Sequence, residues 1–391
     1  MPPHVFLVGG YPNLEVPSGM ISYVTNLIPN LLRSGAEVTL IGVSGESSEL
    51  PYKINLISMG RFSNADSCTL WVKLWRFAAT ARLPPDAILH AQKTLDILPF
   101  CVLRPRVPKV LTIHGDHRKH IKAKYGGVAV SLYALLERIA FRLTNKVIFV
   151  SGELYEDYSK RLRPRGDGHY TVLPPGVDGQ VFHPASRSEA RAKFGLGGGV
   201  VIGFSGRFAP EKRIDLLLEV FKKFRQQHGP AELLLLGPSE ADLRSLGVED
   251  PKSNGVRAMG ILPRDQVAQA LAAMDVFVLT SDREGLPTAL LEAVAVGVPV
   301  VAREVGDVRE VVVDGGVGYT VKSGDPDLLS AAIAKAVKMH VPDQLRMAVL
   351  TKYSWSGVVR SLMGIYEEVL QKSASKSRPS KDRTASSRFT R

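Results

Sequence analysis

Residues 280–302, TSDREGLPTALLEAVAVGVPVVA, decide the reading of this chain. Just before them, the apolar run 275–279 (DVFVL) predicts a buried strand of a parallel sheet. A polar loop follows, and Pro287 is placed to open a helix, where its missing N–H costs nothing. The helix is expected to reach Val296, with Gly297 ending it and 298–302 forming the next strand. In open α/β sheets such a loop lies at the carboxyl ends of the strands, where ligands bind. Two carboxylates flank the helix start: Glu284 in the loop, and Glu292 one turn after Thr288 on the same side of the helix. Taken singly, Glu292 is an ordinary solvated helix residue and Glu284 an acid favoured by the helix dipole.

As a whole, the string resembles the E-x7-E signature, EGLPxxLLEAxAxGxPVVA, of retaining glycosyltransferases of family 4. Other segments fit the same family. The strand 200–205 leads into Gly206, Arg207 and, five residues on, Lys212, similar to the family's G-R-x4-K motif. An Arg fork and a mobile Lys charge suit a diphosphate. The strand 107–113 ends in His114-Gly115, similar to the T-x-H-G segment, although a single His is more often structural. The segment 146–151 (KVIFVS) and the link LPPGVD at 173–178, followed by Phe182, also resemble family segments.

The N-terminal half has the same grammar. A strand at 5–8, a Pro/Gly-rich loop at 9–18, a helix from Met20 to Arg33 and a strand at 37–41 are expected. A loop that ends at a helix N-terminus beside the first strand is a natural phosphate site. Family members usually carry paired glycines there; this chain has Gly19 and Met20. Likewise Gly306 is followed by Asp307 where the family often has a second glycine. Residues 68–83 predict an amphipathic helix with Trp71 and Trp75 on one face, which either packs on the sheet or lies on a membrane interface; packing is favoured. A helix is expected at 128–143. In the second half, strands are expected at 232–236 and 255–259, helices at 263–274 and from Asp325 to about Met339, and a turn at 314–318. A long helix should run from Tyr353 to Gln371, and the basic tail beyond it reads as disordered.

At 391 residues the chain exceeds one ordinary core. Alternating strands and helices predict two doubly wound, Rossmann-like α/β domains. The resemblance implies that they face a central cleft in the GT-B manner, with the last helix crossing back to the first domain. Expected bounds are 1–184 for the acceptor-side domain, 185–352 for the nucleotide-sugar domain, 353–372 for the returning helix and 373–391 for the tail. Cys68 and Cys101, the only cysteines, are too few for a disulfide scaffold or a zinc site, and fit a reducing cytoplasm. No apolar run approaches a membrane span, and the opening MPPHVFLVGG lacks the charged start of a signal peptide. The net charge of +12 is uneven: residues 1–190 hold 22 Lys and Arg against 15 acids, whereas 191–372 balance at 22 each. No nucleic-acid reader motif accompanies the excess. An anionic membrane surface on the cytoplasmic side is the partner it suggests.

The resemblance implies transfer of a sugar from a UDP- or GDP-sugar to a glycan or lipid-linked acceptor with the anomeric configuration retained. No cofactor or metal is expected. Glu284, His114, Arg207 and Lys212 form the implied catalytic set. Gly19, Gly206, Arg207, Lys212, Gly285, Leu286, Pro287, Thr288 and Glu292 form the donor site, with Glu292 on the ribose hydroxyls. Epimerases and phosphorylases share the two-domain form, but the E-x7-E string points away from them. The alternative from another class is an inactive nucleotide-sugar-binding subunit of a glycosylation complex.

Overall fold

A computed structural model describes residues 2–9, 19–44, 55–61 and 67–377. The chain divides into two compact units. The first comprises Met1–Ile148, Ser159–Thr171 and the chain from Val359 on; the second comprises Phe149–Tyr158 and Val172–Val358.

The first unit is built on a seven-stranded sheet. Its strands are β1 (His4–Val8), β2 (Glu37–Ser44), β3 (Asn55–Arg61), β4 (Ala87–Ala91), β5 (Lys109–Ile113), β6 (Lys146–Phe149) and β7 (Tyr170–Val172), in the order β3-β2-β1-β4-β5-β6-β7. The central pairs are parallel, with Val5 opposite Val38 on one side and Ile88 on the other. The helices that connect these strands are α1 (Gly19–Arg33), α2 (Ser67–Thr80), α3 (Thr94–Leu103), α4 (His117–Leu143) and α5 (Gly152–Arg161), the last of which belongs mostly to the second unit. Because strand order reverses at β1/β4, right-handed crossovers place the helices before and after that point on opposite faces.

In the second unit, β8 (Val200–Ser205), β9 (Ala231–Leu236), β10 (Val256–Ala258), β11 (Val276–Leu279), β12 (Val300–Arg303) and β13 (Gly318–Val321) run in the order β10-β9-β8-β11-β12-β13, all parallel. Around them lie α6 (Arg187–Phe194), α7 (Ile214–His228), α8 (Glu240–Ser245), α9 (Arg264–Ala272), α10 (Thr288–Val296), α11 (Pro326–Ala336) and α12 (Asp343–Lys352). β11 and the last four residues of β9 are buried Val, Leu and Phe, as a sheet covered on both faces requires. α7 buries Ile214, Leu217, Val220, Phe221 and Phe224 at helical spacing. Asp325 caps α11 by accepting from the Asp327 amide at 2.8 Å. The turn expected at 314–318 is present and feeds directly into β13.

The last helix, α13 (Trp355–Ser377), begins in the second unit and continues in the first from Val359. It extends beyond Gln371, where the apolar pattern ends, and so takes in the first residues of the expected disordered tail. Ala374 and Lys376 are adequate helix formers that need no buried face. Residues 378–391 lie outside the described residues.

Tyr366 fixes this helix to the first sheet. Its hydroxyl lies 2.7 Å from His90 Nδ1, and His90 Nε2 lies 2.7 Å from Thr112 Oγ1. Burial lowers the His90 pKa to about 3, so the ring is neutral, with one donor and one acceptor nitrogen to satisfy. Tyr366→Phe strands one of them, and thermal unfolding should show a loss of about 1–3 kcal/mol in the first unit. A change within error would mean that the bond does not hold the helix. Wild-type stability should also fall as pH drops below about 6.5. There the unfolded His90 takes a proton that the folded one refuses until about pH 3.

Candidate nucleotide-sugar site

The loops after β8, β9, β11 and β12 meet backbone to backbone at the carboxyl edge of the second sheet. Gly237, at φ +106°, passes so close to the chain that a Cβ would lie 2.0 Å from the Gly206 carbonyl oxygen. Gly306, at φ +56°, would place one 2.2 Å from the Glu284 oxygen. Both positions demand glycine on conformation and on space. The Asp307 amide donates to the Gly285 oxygen at 3.0 Å, and the Asp282 amide to the Glu211 oxygen at 2.9 Å.

Within this frame, Lys212 Nζ donates to Glu284 Oε1 at 2.6 Å, and both side chains are largely buried. Thr280 Oγ1 reinforces the junction by donating to the Lys212 and Arg213 carbonyls at 3.1 and 3.0 Å. Arg207 is half exposed and pairs with Glu211. The two expected diphosphate cations therefore differ: Lys212 is enclosed and bound to the loop that carries Glu284, whereas Arg207 is a surface group on a neighbour four residues away.

α10 starts at Thr288, with Pro287 just before the first turn rather than inside it. No side chain caps it and its first turn carries no acid, so the positive end of its dipole is not offset locally. Gly285 and Leu286 lead into that turn, and Leu286 is buried under it. Glu292 lies one turn further along and is partly exposed. Burial pushes its pKa up to about 7, against the weaker opposing field of Arg264.

Several groups that shape the site were not expected. Asp282 accepts from Arg303 and lies 3.3 Å from Arg213, and the Arg303 bond holds its pKa below the usual carboxylate range. This knot fixes the chain two residues before Glu284. Asp307, the departure from the glycine pair, accepts from the Gly152 and Glu153 amides at 2.6 and 3.2 Å and so caps α5.

In the first unit, His114 stands at the end of β5. Its Nε2 donates to Gln92 Oε1 at 2.8 Å, and the Tyr23 ring meets it edge-on at 4.8 Å. Burial lowers its pKa to about 3, so the ring is neutral and Nδ1 is the acceptor nitrogen. Gln92, which fixes that tautomer, was not singled out in the sequence. Gly19 is the first residue of α1 and is exposed, and the loop leading to it, 10–18, lies outside the described residues. Among the described residues no cluster of His, Cys, Asp or Glu could hold a metal ion.

Two family models match almost end to end: "Glycosyltransferase Family 4" over residues 17–181 and "Glycosyl transferases group 1" over 186–349. The chain belongs to glycosyltransferase family 4. It is 32% identical over 221 residues to a D-inositol 3-phosphate glycosyltransferase of Stackebrandtia nassauensis, covering 52% of this chain and 50% of that protein. It is 30% identical over 224 residues to the phosphatidyl-myo-inositol mannosyltransferase of Mycobacterium tuberculosis, covering 54% and 58%. The chain thus spans about half the length of the curated relatives it matches. Among solved structures it is similar to the sucrose-phosphate synthase of Thermosynechococcus elongatus, with a TM-score of 0.75 at 18% identity over 94% of this chain and 100% of that one. It is also similar to Anabaena HepE in complex with UDP-glucose, with a TM-score of 0.64 at 18% identity over 95% and 98%. These likenesses show the fold: two Rossmann-like domains of the GT-B class.

The Glu292 environment has a measurable consequence. A carboxyl raised from 4.5 to about 7 contributes its full stability below pH 4.5 and loses it as pH rises through 7. Glu292→Gln should therefore match wild type at pH 5 and exceed it at pH 8 by up to roughly 3 kcal/mol in thermal or urea unfolding. A variant equally destabilised at both pH values would mean that the carboxyl is not enclosed in this way.

Proposed function

We propose that the protein transfers a sugar from a UDP- or GDP-sugar to an acceptor hydroxyl with retention of anomeric configuration and without a metal, in the synthesis of a glycolipid or surface glycan. The observation that carries this reading is the enclosed Lys212–Glu284 pair beside the uncapped start of α10. When the anomeric bond breaks, negative charge builds on the departing diphosphate and positive charge on the sugar. Lys212, Arg207 and the amides from Gly285 to Thr288 supply fixed positive charge for the diphosphate. Glu284 then exchanges its lysine partner for hydroxyls of the transferred sugar. Glu292 takes the two ribose hydroxyls, and its raised pKa lets it either accept from both or accept from one and donate to the other. In the first unit, a neutral His114 held by Gln92 offers Nδ1 to a sugar hydroxyl. A lipid-linked acceptor is favoured by the likeness to the mycobacterial phosphatidyl-myo-inositol mannosyltransferase.

The test is turnover over a panel of nucleotide sugars, with the product's anomeric configuration read by NMR and a chelator present in a parallel series. One UDP- or GDP-sugar should be consumed with retention, unaffected by the chelator. Glu284→Gln should lower kcat about 100-fold while leaving nucleotide affinity nearly unchanged. Near-normal turnover in the variant would remove Glu284 from the mechanism. A donor that binds but is never consumed would favour the inactive-subunit alternative.

A further inference from the structure

α4 is kinked at Gly126, whose φ of +79° interrupts the helical backbone. Beyond the kink, Val128, Leu132, Leu135, Ile139 and Leu143 form a single row at intervals of four, three, four and four residues, and they are between 37% and 87% exposed. Single exposed apolar residues are ordinary on a surface, but five in one helical row are an unpartnered face. The opposite face is accounted for, since Tyr133, Ala140 and Phe141 are buried. Cationic and polar residues complete the exposed face, which carries Arg138 and Arg142. The only acid between 128 and 143 is Glu137, which is fully buried and accepts from Arg118 at 2.7 Å. Before the kink, Lys122 and Tyr125 are exposed as well. The tryptophan helix α2 does not offer a comparable face. Trp71 donates its indole N–H to the Leu95 carbonyl at 3.1 Å and meets Trp75 edge-on at 5.7 Å.

We propose that the exposed face of α4 docks on an anionic lipid surface, with the apolar row entering the interface and Arg138 and Arg142 meeting headgroup phosphates. An apolar row flanked by arginines and free of acids is the composition of an interfacial helix. The surrounding charge agrees, because residues 104–165 hold 14 Lys and Arg against 5 acids. A second copy of the chain is a poorer occupant. Pairing two such faces brings four arginines together with no acid between them to offset the repulsion. The purpose of the docking rests on the reading of the acceptor as lipid-linked, but its test does not, since vesicle binding is measured without donor or turnover.

The experiment is co-sedimentation with phosphatidylcholine vesicles and with mixed phosphatidylcholine–phosphatidylglycerol vesicles, over a salt series. Wild type and a truncation after Ser377 should both bind only the anionic vesicles and release as salt rises. Leu135→Glu and the double variant Arg138→Glu/Arg142→Glu should each lower partition at least about tenfold. Unchanged far-UV circular dichroism and melting would exclude unfolding as the cause. Leu135→Trp should bind at least as well as wild type, with its added emission shifting to the blue on anionic vesicles. The proposal is overturned if no anionic binding occurs, if the truncated chain fails to bind, or if the α4 variants bind like wild type. It is equally overturned if the wild type self-associates in solution and Leu135→Glu abolishes that association, which would assign the face to a second copy.

Discussion

The hydrogen-bonded ion pair between Lys212 and Glu284 ties the loop after β8 to the loop after β11, two strands that are neighbours at the centre of the second sheet. Both charges are largely enclosed, so neither can be removed cheaply; an unpaired charge in such a place costs several kcal/mol. The surrounding loops accommodate this pair through glycines at contact distance. Gly306 leaves no room for a side chain against the Glu284 carbonyl, and the Arg213–Asp282–Arg303 knot fixes the chain just upstream. The backbone that carries the carboxylate is over-determined, as a site with a fixed geometry requires.

On the proposed function, this arrangement prepares the cation for a diphosphate. A lysine held on its own chain's carboxylate is ordered before ligand arrives, which reduces what must be immobilised on binding. On that proposal, exchange of the Glu284 partner for phosphate frees the carboxylate, and a sugar hydroxyl replaces the ammonium. Arg207, half exposed on Glu211, is more strongly screened by solvent and is the weaker of the two cations.

Much of this was legible in the sequence. The strand–loop–helix–strand grammar of 275–302, the amphipathic pattern of α7 and the Asp325 cap all follow from local periodicity and capping chemistry. Other features were not, because they depend on contacts far apart in the chain. Lys212 and Glu284 are 72 residues apart, and Gln92 meets His114 across 22. β4, AILHA, is too short and too polar at His90 to stand out, yet it lies at the centre of its sheet and holds the last helix through Tyr366. In α4, apolar residues occur nearly all around the helix. The periodicity predicted a helix but could not tell which face the core would take.

Hydrogen exchange of the full chain with and without UDP or GDP tests the central claim most directly. With the matched nucleotide, the amides of Gly285, Leu286 and the first turn of α10, together with those of Gly206 to Lys212, should gain protection. Lys212→Ala should remove that gain, and any loss of sheet-strand protection that it causes should be the same with and without nucleotide. If neither nucleotide protects these segments, or if protection appears only elsewhere in the chain, the carboxyl edge of the second sheet is not the diphosphate site and the account fails.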